Sequence, residues 1–376
     1  MTQENRIALT NGIAIFAMFF GSGNLIFPLA LGSTAGHGII PVWLAFLLTG
    51  VGLPFLGVFT ITLFKGDYWK FFAPLTKTFA FFTITFLLLI IGPFFAGPRT
   101  ETVTYGSFIE LFPHIPLSAA AFSAIYFFIV FIILLRPSHF TDIIGKFLGP
   151  LKILVFVILI IAALCTTHGA LLQTPLTSDQ VDNALTTGYN TMDLLAALFF
   201  GGVIYRSILS RCKKNEIDFN QRAIPITLKS CVIGGILLAL TYTGFMASAW
   251  IHASSLQDVP TVSIVSALSL LIFGSHGALF VCFCIGLTCV VTASALAEVF
   301  SQYLDQIILR GRIHRLYSLL VTIALMYMMS LLGFDAIIRL ASPILNYLYP
   351  LLIVYCVWQL FRLAQQRHSS RKVKSN

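Results

Sequence analysis

Ala17-Met18-Phe19-Phe20-Gly21-Ser22-Gly23-Asn24 lies at the middle of the apolar run that opens the chain, and Ala197-Leu198-Phe199-Phe200-Gly201-Gly202 lies in a later run. Glycine weakens a helix by about 1 kcal/mol relative to alanine. Backbone freed from helical bonding costs more in lipid, so a break at membrane depth survives only where it lines a cavity. Two apolar runs with one glycine-broken pattern therefore predict two broken membrane spans with a binding site where they meet.

The composition around these runs admits no soluble globule. Of 376 residues, 58% are hydrophobic and 10% charged, and the mean hydropathy is +0.92, too apolar to cover a water-facing surface of this size. Runs of about 20 apolar residues, the length that crosses roughly 30 Å of hydrocarbon, recur from end to end. The first run follows a single arginine, Arg6, without a small-residue cleavage site, and reads as a retained span. The net charge of +9 comes from short basic clusters between spans. That is the pattern of the positive-inside rule and not of nucleic-acid binding. Seven cysteines fall almost wholly within apolar runs, with no metal-ligand or C-x-x-C spacing, as small core residues do.

Run length and breakers place ten spans, at about 7–31, 38–64, 78–98, 117–136, 147–167, 191–210, 224–251, 278–305, 314–333 and 338–362. The apolar stretch 262–273 is short and reads as an interfacial or re-entrant helix; if it crosses, the count becomes eleven. Charge favours ten. Lys65, Lys70 and Lys77, then Arg136, Lys146 and Lys152, then Arg206 to Lys229, then Arg310 to Arg315 all fall on one side with both termini. That side is the cytoplasm. Arg99 and Arg339 fall on the other. The broken spans are the first and the sixth, so the ten divide into five and five, and an odd number per unit inserts the second unit upside down. The expected fold is an all-α integral membrane protein of about ten helices in a five-plus-five inverted repeat, with helices 1 and 6 broken at mid-membrane. Residues 1–175 form the first repeat, 176–365 the second, and 366–376 a basic, disordered cytoplasmic tail. A polar linker from His168 to Asn190 joins the halves.

Five stretches, in order, carry a family resemblance: Gly21-Ser22-Gly23-Asn24-Leu25-Ile26-Phe27-Pro28, Leu53-Pro54, Gly92-Pro93-Phe94-Phe95-Ala96-Gly97-Pro98-Arg99-Thr100, Leu148-Gly149-Pro150-Leu151-Lys152 and Gly188-Tyr189-Asn190-Thr191-Met192-Asp193. From about residue 5 to about 360 the chain resembles the bacterial branched-chain amino acid:cation symporters. The resemblance implies the leucine-transporter-like fold and import of leucine, isoleucine and valine with sodium across the bacterial inner membrane. Family members usually continue past the tenth span into two more, and the expectation is that the core stays intact without them. The region after Thr292 is about one turn shorter than the family pattern.

An amino acid offers a carboxylate, an ammonium and an aliphatic side chain. The half-helix starting near Asn24 presents free N–H groups and a positive dipole end to the carboxylate. Carbonyls around Ala17, Phe19 and Phe20 suit the ammonium or a hard cation. Phe199, Phe200 and Gly201 supply an apolar wall. The expected substrate residues are Phe19, Gly21, Ser22, Gly23, Asn24, Phe199, Phe200 and Gly201, and the expected cation residues are Ala17, Phe20, Thr288 and Thr292, the two threonines by resemblance. Other readings stay open: the glycines can serve close helix packing, either phenylalanine, of 35, can be core, and the hydroxyls can bond back to their own helix. Asp193 suits the first turn of a helix by its dipole, or takes a proton. Glu298 reads as a proton site or gate partner. Arg99 pairs with Glu101, snorkels, or gates the outer end of span three.

No paired aspartates, H-E-x-x-H or serine with a basic partner marks a membrane enzyme. No selectivity-filter motif marks a channel, and no phosphate-binding loop marks an ATP-driven pump, so no ATPase subunit is expected. The partners expected are an apolar amino acid, the lipid bilayer and a co-transported ion, sodium or proton, with no other cofactor and no resident metal. The oligomeric state is not legible.

Overall fold

A computed structural model describes residues 2–135, 149–166, 174–215, 219–312 and 314–375. Arg136, Lys146, Leu148 and His168, used above for topology, motif and linker, lie outside the described residues. The first apolar run folds as α1 (Gln3–Phe19) and α2 (Ser22–Thr34), bent by 75° at the break between them. There follow α3 (Gly36–Leu63), α4 (Lys77–Leu111), α5 (Ala119–Leu135) and α6 (Gly149–Cys165). The second half holds α7 (Ser178–Asn190), α8 (Asp193–Lys214), α9 (Phe219–Ile251), α10 (Thr261–Ile308), α11 (Arg315–Ser330) and α12 (Phe334–Ser375). By length and composition, α3, α4, α7 with α8, α9, α10 and α12 can each cross a bilayer, and the bent α1–α2 pair makes a seventh span. The other three, α5, α6 and α11, are shorter apolar helices. The chain is an all-helical, multi-span membrane protein among its described residues.

Several boundaries differ from expectation, each for a local reason. Span three does not end near residue 98. A single π turn over Ile90–Phe94 absorbs Pro93, with Phe95 N–H bonded to the Ile90 carbonyl at 3.1 Å, and the helix runs on to Leu111. The polar stretch taken as a linker is helical from Ser178, opened by a capping box in which Gln180 N–H meets Thr177 Oγ1 at 3.3 Å and Thr177 N–H meets Gln180 Oε1 at 3.2 Å. The stretch 262–273 is the first arm of a helix kinked at Gly274, whose φ of 65° and ψ of −172° suit glycine alone. The tail expected to be disordered continues α12 to Ser375. No proline or glycine follows Pro350 to stop it.

Side chains sort by face. Ile15, Leu25, Phe46, Ile61, Leu195 and Tyr242 are fully buried, whereas Phe82, Phe128, Leu240, Leu351 and Val354 stand exposed on the outside, as a lipid-facing girdle requires. Helix α9 lies along both α1 and α2, α10 packs on the Ala96–Leu111 part of α4, and α8 packs on the Leu53–Leu63 part of α3. Gly32 lets α2 approach α9 this closely. A Cβ there would meet the Met246 backbone, 2.9 Å from its carbonyl carbon and 3.0 Å from its Cα. Backbone cannot yield as a side-chain end can, so Gly32→Ala is expected to cost about 1–3 kcal/mol of overpacking. Thermal unfolding in detergent checks this, and an unchanged midpoint would show that the helices separate freely.

Candidate functional site

At the first break, Phe20 N–H still reaches the Phe16 carbonyl at 2.9 Å and Gly21 N–H turns back to the Phe19 carbonyl at 2.8 Å. Helix α2 then starts with no side-chain cap at Gly21. The amides of Ser22, Gly23 and Asn24 have no carbonyl one turn before them and form a positive helix end. The second break falls at Thr191-Met192, between α7 and α8, with Met192 in the left-handed region at φ 63° and ψ 15°. It does not fall at Gly201-Gly202, through which α8 runs unbroken. Those glycines serve packing: the space a Gly201 Cβ would take is filled by Ile61, and Gly202 abuts the Gly66 carbonyl.

Side chains tie the two breaks together. Asn24 Nδ2 donates to Asp193 Oδ2 at 2.6 Å and also to the Tyr242 hydroxyl, which itself stands 3.4 Å from the same carboxylate oxygen. From α4, Arg99 donates through Nη1 to the Asn190 carbonyl and through Nη2 to the Thr191 carbonyl at 3.2 Å, capping the end of α7. Its guanidinium lies 5.3 Å from the Phe27 ring centroid, and its Nε–H is buried with no partner among the described residues.

A cavity of about 30 Å³ lies where these groups converge, with Gly21, Ser22, Asn24, Arg99, Asp193 and Thr292 on its polar wall and Met18, Phe19, Ala196, Phe200 and Leu296 on its apolar wall. Space of that order holds one or two waters, not an amino acid, so the two breaks are closed on one another. One fixed cation, one carboxylate, bare helix amides and an apolar face together complement a zwitterion with an aliphatic side chain.

Of the expected residues, Phe19, Gly21, Ser22, Asn24, Phe200 and Thr292 line this cavity. Gly23 gives Arg99 its room, since a Cβ there would lie 2.9 Å from Nη2. Phe199 instead packs edge-on against Tyr68, with ring centroids 5.3 Å apart, and the Phe20 ring stacks between Phe16 and Phe245. Thr292 donates to the Thr288 carbonyl at 3.0 Å and Thr288 to the Cys284 carbonyl at 2.8 Å. Both hydroxyls bond back along their own helix and keep only lone pairs to offer. The carbonyls of Ala17 and Phe20 accept from Lys152 Nζ at 3.4 and 3.1 Å. Asp193 does occupy the first turn of α8, and it lines the cavity as well. Arg99 neither snorkels nor turns to Glu101; it is buried within α4, and residues two apart on a helix do not face each other. Glu298 stands away from the cavity, held by Arg315 Nη2 at 2.6 and 2.7 Å and by Gln302 at 2.7 Å. That pair is partly exposed, so Glu298→Gln is expected to lower stability by no more than about 1 kcal/mol in detergent unfolding. Sequence reasoning missed Lys152, Thr191, Met192 and Tyr242 as members of this region. For Lys152 a signal existed: a charge inside an apolar span is a functional suspect by default.

Residues 4–374 match the family model described as branched-chain amino acid transport protein. The chain is 33% identical over 358 residues to the branched-chain amino acid permease BraB of Bacillus subtilis, which covers 92% of this chain and 78% of that one. It is 33% identical over 359 residues to the branched-chain amino acid transport system 3 carrier protein of Pseudomonas aeruginosa, covering 93% and 80%. Against the branched-chain amino acid permease BrnQ of Bacillus subtilis the identity is 30% over 354 residues, covering 91% and 78%.

Proposed function

Since the chain belongs to the branched-chain amino acid transport protein family, we propose that it is a secondary active transporter importing leucine, isoleucine and valine by cation symport. The observation that carries the reading is the convergence of two helix breaks on one small cavity holding both Arg99 and Asp193. The substrate carboxylate would take the amides of Ser22, Gly23 and Asn24 together with the unpartnered Arg99 Nε–H. Its ammonium would take Asp193. Met18, Phe200 and Leu296 would receive the branched side chain, and a pocket of that kind separates substrates differing by one methylene by only about 1–3 kcal/mol. Leucine, isoleucine and valine would compete.

Because the cavity is smaller than its substrate, one helix group must move against another to admit it. Alternating access of a bundle about the broken helices does this with rigid parts. The ten apolar segments support the five-plus-five inverted repeat, with units 1–175 and 176–365. The basic clusters support both termini, with the tail 366–376, in the cytoplasm of a bacterial inner membrane. Sodium is the ion implied by the family resemblance, and the proton is the alternative. Uptake of labelled leucine into proteoliposomes under an imposed sodium or proton gradient tests the reading. Accumulation blocked by excess isoleucine or valine is expected, and none under either gradient would overturn it.

A further inference from the structure

The carbonyl end of α1 carries a cation that belongs to the chain itself. Lys152, in the first turn of α6, reaches across to the break, where Nζ donates to the Phe20 carbonyl at 3.1 Å and the Ala17 carbonyl at 3.4 Å and lies 5.7 Å from the centroid of the Phe20 ring. The side chain is buried. Among the described residues no carboxylate lies within ion-pair distance of it. A buried ammonium without an anion persists only where dipoles replace its water. Here the C-terminal end of a helix supplies them, as carbonyls with no helical partner and their aligned dipoles, and the aromatic face adds to the attraction.

The carbonyls of Ala17 in the last turn of α1 and of Phe20 just past its end converge on one point, the position of Lys152 Nζ. Such a pair of hard oxygens is what a small cation takes in exchange for its hydration shell. At the second break Arg99 holds the carbonyls of Asn190 and Thr191 in the same manner, again from another helix. Both helix ends opened by the breaks are thus met by a side-chain cation.

We propose that the Lys152 ammonium is the resident cation of the Ala17 and Phe20 carbonyls, in the place a co-transported sodium ion would take, so that the chain moves its amino acid without binding sodium there. The inference rests on the transporter reading above and deepens it by separating this carbonyl pair from the driving ion. Ammonium and sodium cannot share two carbonyls, because like charges at contact distance repel strongly in a low-dielectric setting. Removing the side chain would leave the oxygens open to a free ion.

Leucine counterflow into leucine-loaded proteoliposomes, which needs no ion gradient, reads the step directly, with sodium chloride exchanged for choline chloride on both sides. For the wild-type chain the rate is expected to change by less than about twofold, while Lys152→Ala loses about tenfold or more in choline, the scale of lost charge-assisted hydrogen bonds, and recovers when sodium is restored. Lys152→Met, which fills the place without the charge, is expected to be slow in both media. A tenfold fall of the wild-type rate in choline would overturn the proposal whatever the variants do. So would a Lys152→Ala or Lys152→Met chain as fast as wild type without sodium. Wild-type chain with no counterflow in either medium would overturn the transporter reading, and this inference with it.

Discussion

Gly21→Leu is expected to reduce leucine uptake at least about 100-fold, equivalent to roughly 3 kcal/mol, while leaving membrane insertion intact. The reason is space. Gly21 has φ −114° and ψ −163°, extended backbone that any residue adopts. A Cβ there would already lie 3.2 Å from Thr292 Cγ2 and 3.3 Å from Thr292 Oγ1, and the rest of a leucine side chain would fill the cavity the substrate must enter. Thr292 sits on α10, so the variant also wedges α10 away from the break. The same side chain would crowd the amides of Ser22 and Gly23, where the carboxylate is expected. Gly21→Ala, adding only the methyl, should fall between the two. Uptake by proteoliposomes checked against the size-exclusion profile of the same preparation separates lost transport from lost fold. Normal uptake by the leucine variant would remove the first break from the binding site.

The first break was legible because Gly-Ser-Gly-Asn interrupts an apolar run with residues that have no other business at membrane depth. The second was misplaced by the same rule. Gly201 and Gly202 answer to Ile61 and Gly66 on α3 and the turn after it, a packing demand that lies far away in sequence. The actual break uses no glycine. Met192 adopts a left-handed conformation that costs a side-chain-bearing residue about 1–2 kcal/mol, and what offsets it is Arg99, on another helix, bonding the two carbonyls the break exposes. Arg99 was read as an outer-end residue that pairs with Glu101, snorkels or gates, and Lys152 as a topology marker, because a positive charge near a span end ordinarily marks a loop. Their partners lie 91 and 132 residues away, and no local pattern encodes such distances. Seven of the ten expected spans have a counterpart long and apolar enough to cross a bilayer, whereas α5, α6 and α11 are apolar but shorter. The span ends were not legible: a π turn carries α4 past two prolines, and a capping box starts α7 inside a polar stretch.

Arg99→Ala is expected to be as damaging as Gly21→Leu, and to stability as well as to transport. Removing the guanidinium leaves the Asn190 and Thr191 carbonyls without their donors and makes Asp193 the one ionisable side chain on the cavity wall. Breaking a buried charged arrangement from one side typically costs about 3–5 kcal/mol, because the remaining charge is left without compensation. Arg99→Lys is the sharper test. It keeps the charge and most of the stem, yet its three N–H donors radiate from one nitrogen and cannot match the spread of Nη1, Nη2 and Nε, which would serve two carbonyls and a ligand at once. The lysine variant should therefore fold, with a lowered unfolding midpoint, and lose leucine binding by about tenfold or more. Leucine at 100 times its dissociation constant should stabilise the wild-type chain by about 2.7 kcal/mol. At the same leucine concentration a tenfold loss of affinity should cut that shift to about 1.4 kcal/mol in Arg99→Lys. A lysine variant that both unfolds like wild type and gains the full shift from leucine would place the carboxylate elsewhere and make Arg99 a cap for α7 alone.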